Sequence, residues 1–402
     1  MLEVDAIKLE ETPFLKDKPL LIILFTALIV RLIIMLFYPD QLFPDAQAYK
    51  TIGKEIFSGS IITNNIYMPL YPILSFITGG GKIQILTDIF LSVISIWLIF
   101  SISIVLFKDR LMALLSSIIG ALYPHFVFYS VSGLTEVFFT FLILLSFLLF
   151  YKNKIVWAMI FSIFALLVKP SLDFFNPILV VIFIIIVHKM QWKVALKYLG
   201  IYFLSYVVIM SPWWIHQYQK YDSFVRLSLG DGIVLYAGNN PLNFSGGGIS
   251  GVDFDDSHFE VQDPIIRNIT LKNAAFEYIL SNPGHFVKMS LVKLTRLWRL
   301  WPYAQEYSQW YIVVLSLLSY GMVLLMALGF MVRYSKKYFR NTLPILALFA
   351  YITLVHMISI GSIRYRFPLE PFLIIFASYF MIDNLKNKQW FIYIIRKFKF
   401  IE

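Results

Sequence analysis

Residues 83–107 read IQILTDIFLSVISIWLIFSISIVLF, a run in which Asp88 is the one ionisable side chain. A bilayer core of ~30 Å takes about 20 helical residues to cross, so this run can span a membrane unaided. Working outward, comparable apolar stretches occupy residues 20–38, 111–128, 134–151, 155–168, 172–188, 196–214, 310–332, 342–360 and 370–384. The stretch 155–168 is the shortest, set between Lys154 and the Lys169-Pro170 break. The pattern predicts an all-α polytopic membrane protein of about ten transmembrane helices. Composition agrees: 59% of the 402 residues are hydrophobic and 14% charged, against roughly 25% charged in soluble domains. Cysteine is absent, which excludes disulfides, thiolate chemistry and zinc–thiolate sites.

The net charge of +10 is informative through its placement. With a cytoplasmic N-terminus, the inner segments carry 19 basic residues and the short outer ones six, Lys50, Lys54, Lys82, Lys169, Arg364 and Arg366. That asymmetry predicts both termini inside. The leader before the first stretch mixes acids with bases and lacks a small-residue cleavage site, so it reads as an uncleaved helix, with Arg31 snorkelling or paired in the bundle. The chain then divides into an N-terminal membrane part (1–214, with an outer loop at 39–82), an outer segment (215–309), and a C-terminal membrane part with a cytoplasmic tail (310–402). In the outer segment, His285, Lys288, Lys293, Arg296 and Arg299 fall on one helical arc. Phe286, Val287, Leu291, Leu294, Leu297 and Trp298 fall on the other. This predicts an interfacial amphipathic helix.

Few residues in such a chain can carry chemistry. Asp45, in Phe43-Pro44-Asp45-Ala46-Gln47-Ala48-Tyr49, suits a general base at the membrane surface; the alternative is a helix N-cap after proline. Glu136 lies just inside a span, where an ionisable group is functional by default or caps the helix. Asp88 poses the same choice. Arg364 and Arg366 flank Tyr365 before the last span, with Glu370 following, and Lys169 precedes Pro170. The arginine pair can clamp a phosphate or anchor at headgroup level. The acidic stretch Asp253–Asp256 leaves a divalent cation open, while the histidines do not cluster at ligand spacing, so no metal site is assigned. No P-loop, dinucleotide fingerprint or nucleophile elbow is present, and the dispersed basic residues give no nucleic-acid patch.

Seven short motifs, in order, resemble the GT-C-fold integral membrane glycosyltransferases, in particular the bacterial branch related to protein O-mannosyltransferases and the lipid A aminoarabinose transferase. They are Phe43-Pro44-Asp45 through Tyr49, Met68-Pro69-Leu70-Tyr71-Pro72, Tyr123-Pro124 with Ser132 and Glu136, and Leu167-Val168-Lys169-Pro170. The others are Gly238-Asn239-Asn240-Pro241, Asn282-Pro283-Gly284-His285-Phe286, and Arg364-Tyr365-Arg366-Phe367-Pro368-Leu369-Glu370-Pro371. Together they cover nearly the whole chain.

The resemblance implies transfer of a sugar from a polyprenyl-phosphate donor to an acceptor glycan, lipid or protein, at the outer face of a bacterial cytoplasmic membrane. It implies Asp45 and Glu136 as catalytic residues, and Arg364, Arg366 and Lys169 as the donor-phosphate site. Tyr49, Tyr71, Asn239, Asn240 and Glu370 are implied as substrate-binding. There are departures: Ala46 stands where many mannosyltransferases have a second acid, and Met68 where aminoarabinose transferases have a lysine. Lys54 and Lys82 are the nearest substitutes in sequence. The chain also stops soon after the tenth stretch, leaving the outer segment to help recognise the acceptor. Two other readings compete. A lipid-linked-sugar flippase would want charges at mid-membrane, whereas these crowd at the outer ends. A non-catalytic assembly subunit would not need Asp45 with Arg364 and Arg366.

Overall fold

The structure, a computed structural model, describes residues 17–37, 43–59, 66–248, 254–255, 257, 259, 263–303, 307–386 and 388. The acidic residues Asp253 and Asp256, the leader before Asp17 and the tail beyond 388 lie outside them. The described residues are all-helical. In chain order the helices are α1 (Lys18–Phe37), α2 (Pro44–Ser58), α3 (Leu70–Ile77), α4 (Gly81–Phe107), α5 (Arg110–Leu122), α6 (Pro124–Ser130), α7 (Thr135–Tyr151), α8 (Ile155–Val168) and α9 (Phe175–Val181). They continue with α10 (Trp192–Tyr221), α11 (Asp231–Gly238), α12 (Pro264–Ser281), α13 (Pro283–Leu297), α14 (Trp310–Ser316), α15 (Met322–Ile358), α16 (Ile363–Arg366) and α17 (Glu370–Leu385).

Helical runs at Lys18–Phe37, Gly81–Phe107, Trp192–Tyr221 and Trp310–Ile358 are long and apolar enough to cross a membrane, and the bent pair α5–α6 makes a fifth. The other expected spans, at 134–188 and 370–384, fall on helices shorter than the ~20 residues of a straight crossing. The run Trp310–Ile358 is not one straight rod. Phe376 packs against Phe330 at 4.5 Å and against Phe349 at 6.2 Å. Those two rings are therefore within about 11 Å, where straight helix would separate them by about 28 Å. The chain therefore reverses direction between them. The reversal is moored at one end of the bundle, where Tyr151 donates to the Asn341 carbonyl (2.6 Å) and Arg340 to that of Val187 (2.9 Å).

α17 is buried on all sides from Glu370 to Tyr379 and forms the centre, packed against α15 and α5, with α4 beside it and Phe147 of α7 against Phe372 at 4.9 Å. An all-round apolar helix has to be interior. By contrast, α1 exposes Ile22, Phe25, Leu36 and Phe37, and α10 exposes Phe203, Leu204, Val207 and Val208, faces suited to lipid. Pro124 removes a backbone donor and bends α5–α6 by 53°. The fully buried Arg31 takes up the carbonyl of Ala121 at 2.9 Å and the hydroxyl of Ser92 at 2.9 Å. Its burial is met by neutral acceptors inside the bundle, not by snorkelling.

One residue of the polar arc assigned to the last outer helix needs correction, Lys293. α13 buries Met289, Ser290, Lys293 and Leu297 and exposes Val287 and Leu291. Lys293 is wholly buried, donating to Asn239 Oδ1 (3.1 Å) and to the Ile358 carbonyl (3.2 Å). It ties α13 to the ends of α11 and α15, a tertiary need that outweighs helical periodicity.

Candidate active site

At the opposite end of the bundle from Asn341, four charged side chains from four parts of the chain meet. Asp45 lies in the first turn of α2, whose N-cap position is Phe43 with no side-chain cap. The N-cap reading of Asp45 therefore falls. Its carboxylate is turned to other side chains: Tyr67 Oη donates to Oδ1 at 2.9 Å and Arg364 Nη1 to Oδ2 at 2.7 Å. Glu136, in the first turn of α7, is fully buried and likewise does not cap. Its Oε1 accepts from Lys169 Nζ at 2.6 Å and from Arg364 Nε. Arg364 thus joins both carboxylates, and Lys169 backs Glu136.

Local sequence explains each position. Pro44 at the start of α2 fixes the entry angle and supplies no amide that would need a partner. Pro170 opens the short turn Pro170–Leu172 after α8 and holds the preceding Lys169 extended, at φ −144°. Ser362 caps the short α16, accepting from the Arg364 amide at 3.3 Å, and so aims the guanidinium inward. Lys169 also sits 5.9 Å from the rings of Phe139 and Tyr365. Burial pulls the Arg364 guanidinium towards deprotonation, but the charges of Glu136 and Asp45 more than offset it, so it stays charged. For Lys169 burial prevails over Glu136, and its ammonium titrates below the usual lysine range.

The remaining predicted residues stand elsewhere. Arg366 is fully buried; its Nε donates to Glu370 at 3.0 Å, and its Nη1 to the carbonyls of Leu297, at 3.1 Å, and Arg299. Glu370 also meets His125 Nδ1 at 3.0 Å. The two arginines expected to share one phosphate therefore hold different carboxylates. Tyr49 is buried with its ring edge-on to Tyr67 and Tyr71, both at 5.0 Å. Tyr71 donates to the buried Asp88 at 2.7 Å, and Gln84 donates to the other Asp88 oxygen at 3.4 Å. Asn239 and Asn240 brace the turn after α11 through backbone carbonyls. Met68 is buried, while Lys54 and Lys82 are exposed, with no described partner.

The described residues of the cluster do not fit a divalent cation. Among the described residues no three His, Cys, Asp or Glu side chains converge, and the guanidinium of Arg364 already joins Asp45 to Glu136. Asp255, the described member of its loop's acids, accepts from the amide of Ser257.

No protein-family model and no curated protein sequence matches the chain. Solved structures do. The archaeal oligosaccharyltransferase AglB from Archaeoglobus fulgidus, in complex with an inhibitory peptide and a dolichol-phosphate, superposes with a TM-score of 0.54 at 12% identity, over 96% of this chain and 52% of that one. Its apo form gives 0.53 at 12%, over 92% and 51%. The form tethered to an acceptor peptide containing the NVT sequon gives 0.51 at 13%, over 92% and 50%. The chain spans about half the length of these structures, and at such identity the likeness is one of fold. The bundle shares its fold with these oligosaccharyltransferase structures, in agreement with the GT-C fold that the seven motifs implied.

Proposed function

We propose that the chain is a membrane glycosyltransferase that moves a sugar from a polyprenyl-phosphate donor to a hydroxyl of an extracytoplasmic glycan, lipid or protein. The observation that carries this reading is the guanidinium of Arg364 between Asp45 and Glu136, backed by Lys169. The dolichol-phosphate and the acceptor peptide held by the archaeal structures support a lipid-linked donor and a separate acceptor. The chain crosses the membrane ten times, with α5–α6 as one pass and Trp310–Ile358 as two. Both termini lie on the cytoplasmic side of a bacterial inner membrane, and the cluster lies at the outer face.

In the reaction Asp45 takes the proton of the acceptor hydroxyl as its oxygen bonds to the anomeric carbon. The bond from that carbon to the phosphate oxygen breaks, and its electron pair leaves on the polyprenyl phosphate. Arg364 and Lys169 stabilise the charge developing there. Base and leaving group lie on opposite faces of the sugar, so configuration inverts. Glu136, buried between the two cations, positions them. Arg366 and Glu370 hold the ends of α13 and α16 in register.

The test uses purified protein, polyprenyl-phosphate-linked mannose, glucose, galactose and aminoarabinose, and a crude membrane acceptor fraction. Transfer by wild type that is lost in Asp45→Asn and Arg364→Ala supports the reading. Normal transfer by a folded Asp45→Asn protein overturns it. Donor lipid crossing proteoliposome leaflets without sugar transfer would favour the flippase instead.

A further inference from the structure

We infer that Tyr67 is the positioning residue of Asp45, orienting the carboxylate that takes the acceptor proton; the inference rests on the function proposed above. Asp45 has two described partners, and they differ in kind. Arg364 on Oδ2 is a cation that a donor phosphate competes for, whereas Tyr67 on Oδ1, at 2.9 Å, is neutral and has no other described polar partner. When phosphate draws Arg364 away, Tyr67 keeps Oδ1 fixed and leaves Oδ2 free to face the acceptor hydroxyl.

The loop bearing Tyr67 is built for this. Tyr49, one helical turn beyond Asp45 on α2, is fully buried and meets the Tyr67 ring edge-on at 5.0 Å. Tyr71 meets Tyr49 from α3, also at 5.0 Å, and is itself fastened to the buried Asp88 at 2.7 Å. From the outer segment, the backbone at Gly230 presses on Ile66, the residue before Tyr67: a Cβ there would stand 2.9 Å from the Ile66 carbonyl oxygen. Three elements thus fix one phenol, and the Asp45 carboxylate receives its hydroxyl. The surroundings of the bond include Glu136, Arg364, Lys169 and Tyr365, and none of them takes the Tyr67 proton.

The full-length enzyme in nanodiscs is assayed with the donor that wild type uses, across pH. Tyr67→Phe keeps the ring packing and loses the hydrogen bond. It is expected to lower kcat roughly tenfold, the equivalent of one charge-assisted hydrogen bond, with KM for the donor unchanged. Loss of a donor to a carboxylate disfavours its ionised form, so the acid limb of the kcat/KM profile moves to higher pH. A purely structural role for Tyr67 would lower the amount of active protein without moving that limb. An unmoved limb and unchanged kcat in Tyr67→Phe, with Asp45→Asn inactive, overturn the positioning role and leave the proposed function standing. An active Asp45→Asn protein overturns both. If Tyr67→Phe fails to fold, Tyr67 replaced by fluorotyrosine, a stronger donor in the same space, is expected to move the acid limb to lower pH, and an unmoved limb overturns the inference.

Discussion

Arg364 donates through Nη1 to Oδ2 of Asp45 at 2.7 Å, although 319 positions separate the two in sequence. Its Nε reaches Glu136 at the same time. A planar guanidinium has donors on separate edges, which an ammonium lacks. Arg364→Lys is therefore expected to resemble Arg364→Ala, each losing on the order of 100-fold in kcat or more. Asp45→Asn is expected to lose about 10²–10⁴-fold, the range of a general base. Steady-state assays on the three purified variants decide it, and wild-type rates in Arg364→Lys would contradict the two-edged role.

Glu136 faces two cations from a site with no solvent exposure. Glu136→Gln leaves Lys169 without its carboxylate and Arg364 with Asp45 alone, and breaking a buried pair costs about 3–5 kcal/mol. The variant should unfold at clearly lower temperature in detergent than wild type. Adding Lys169→Met removes one stranded charge and should restore part of the loss. Unfolding of Glu136→Gln at the wild-type midpoint would mean that the cations find other partners.

The helical bundle was legible in the sequence because a long apolar stretch has to sit in lipid or in the core, and the reversal within Trp310–Ile358 coincides with the polar interval after residue 332. The site was legible in part. Asp45, Glu136, Lys169 and Arg364 each follow or precede a proline or a span end, which marks a placed side chain. What sequence could not show was pairing. Arg364 and Arg366 are two positions apart and look like one clamp, yet α16 turns them to different sides, one to Asp45 and the other to Glu370. Tyr67 gave no signal of its own beyond standing next to the Met68–Pro72 motif. Its role depends on the short segment Ile66–Pro69 lying against α2. Lys293 was misjudged for a related reason: helical arcs report solvent preference, and its partners belong to α11 and α15.

Transfer should survive metal removal. The two carboxylates that would ligate a cation are already neutralised by Arg364 and Lys169, and seating a divalent ion there would set like charges together. Activity in excess EDTA is expected to equal that in added Mg²⁺ or Mn²⁺. A rate that collapses in EDTA and returns with one metal would show that Arg364 moves aside for an ion.

Lys293 gives the chain a pH-dependent stability whose sign follows from its burial. Its ammonium meets an amide oxygen and a carbonyl, and burial pushes its titration down to about 8. In the unfolded chain it titrates near the ordinary lysine value of about 10.4. Below pH 8 both states are protonated, and the folded one bears the cost of a buried charge. Between about 8 and 10.4 the unfolded state binds the extra proton, so stability rises with pH, by at most about 1.4 kcal/mol per unit. Lys293→Met removes this dependence. The difference in unfolding midpoint between wild type and Lys293→Met should therefore shift in favour of wild type as pH is raised from 7 to 10. Parallel pH profiles for the two proteins would show that Lys293 keeps its proton when buried, held by its two oxygen partners alone.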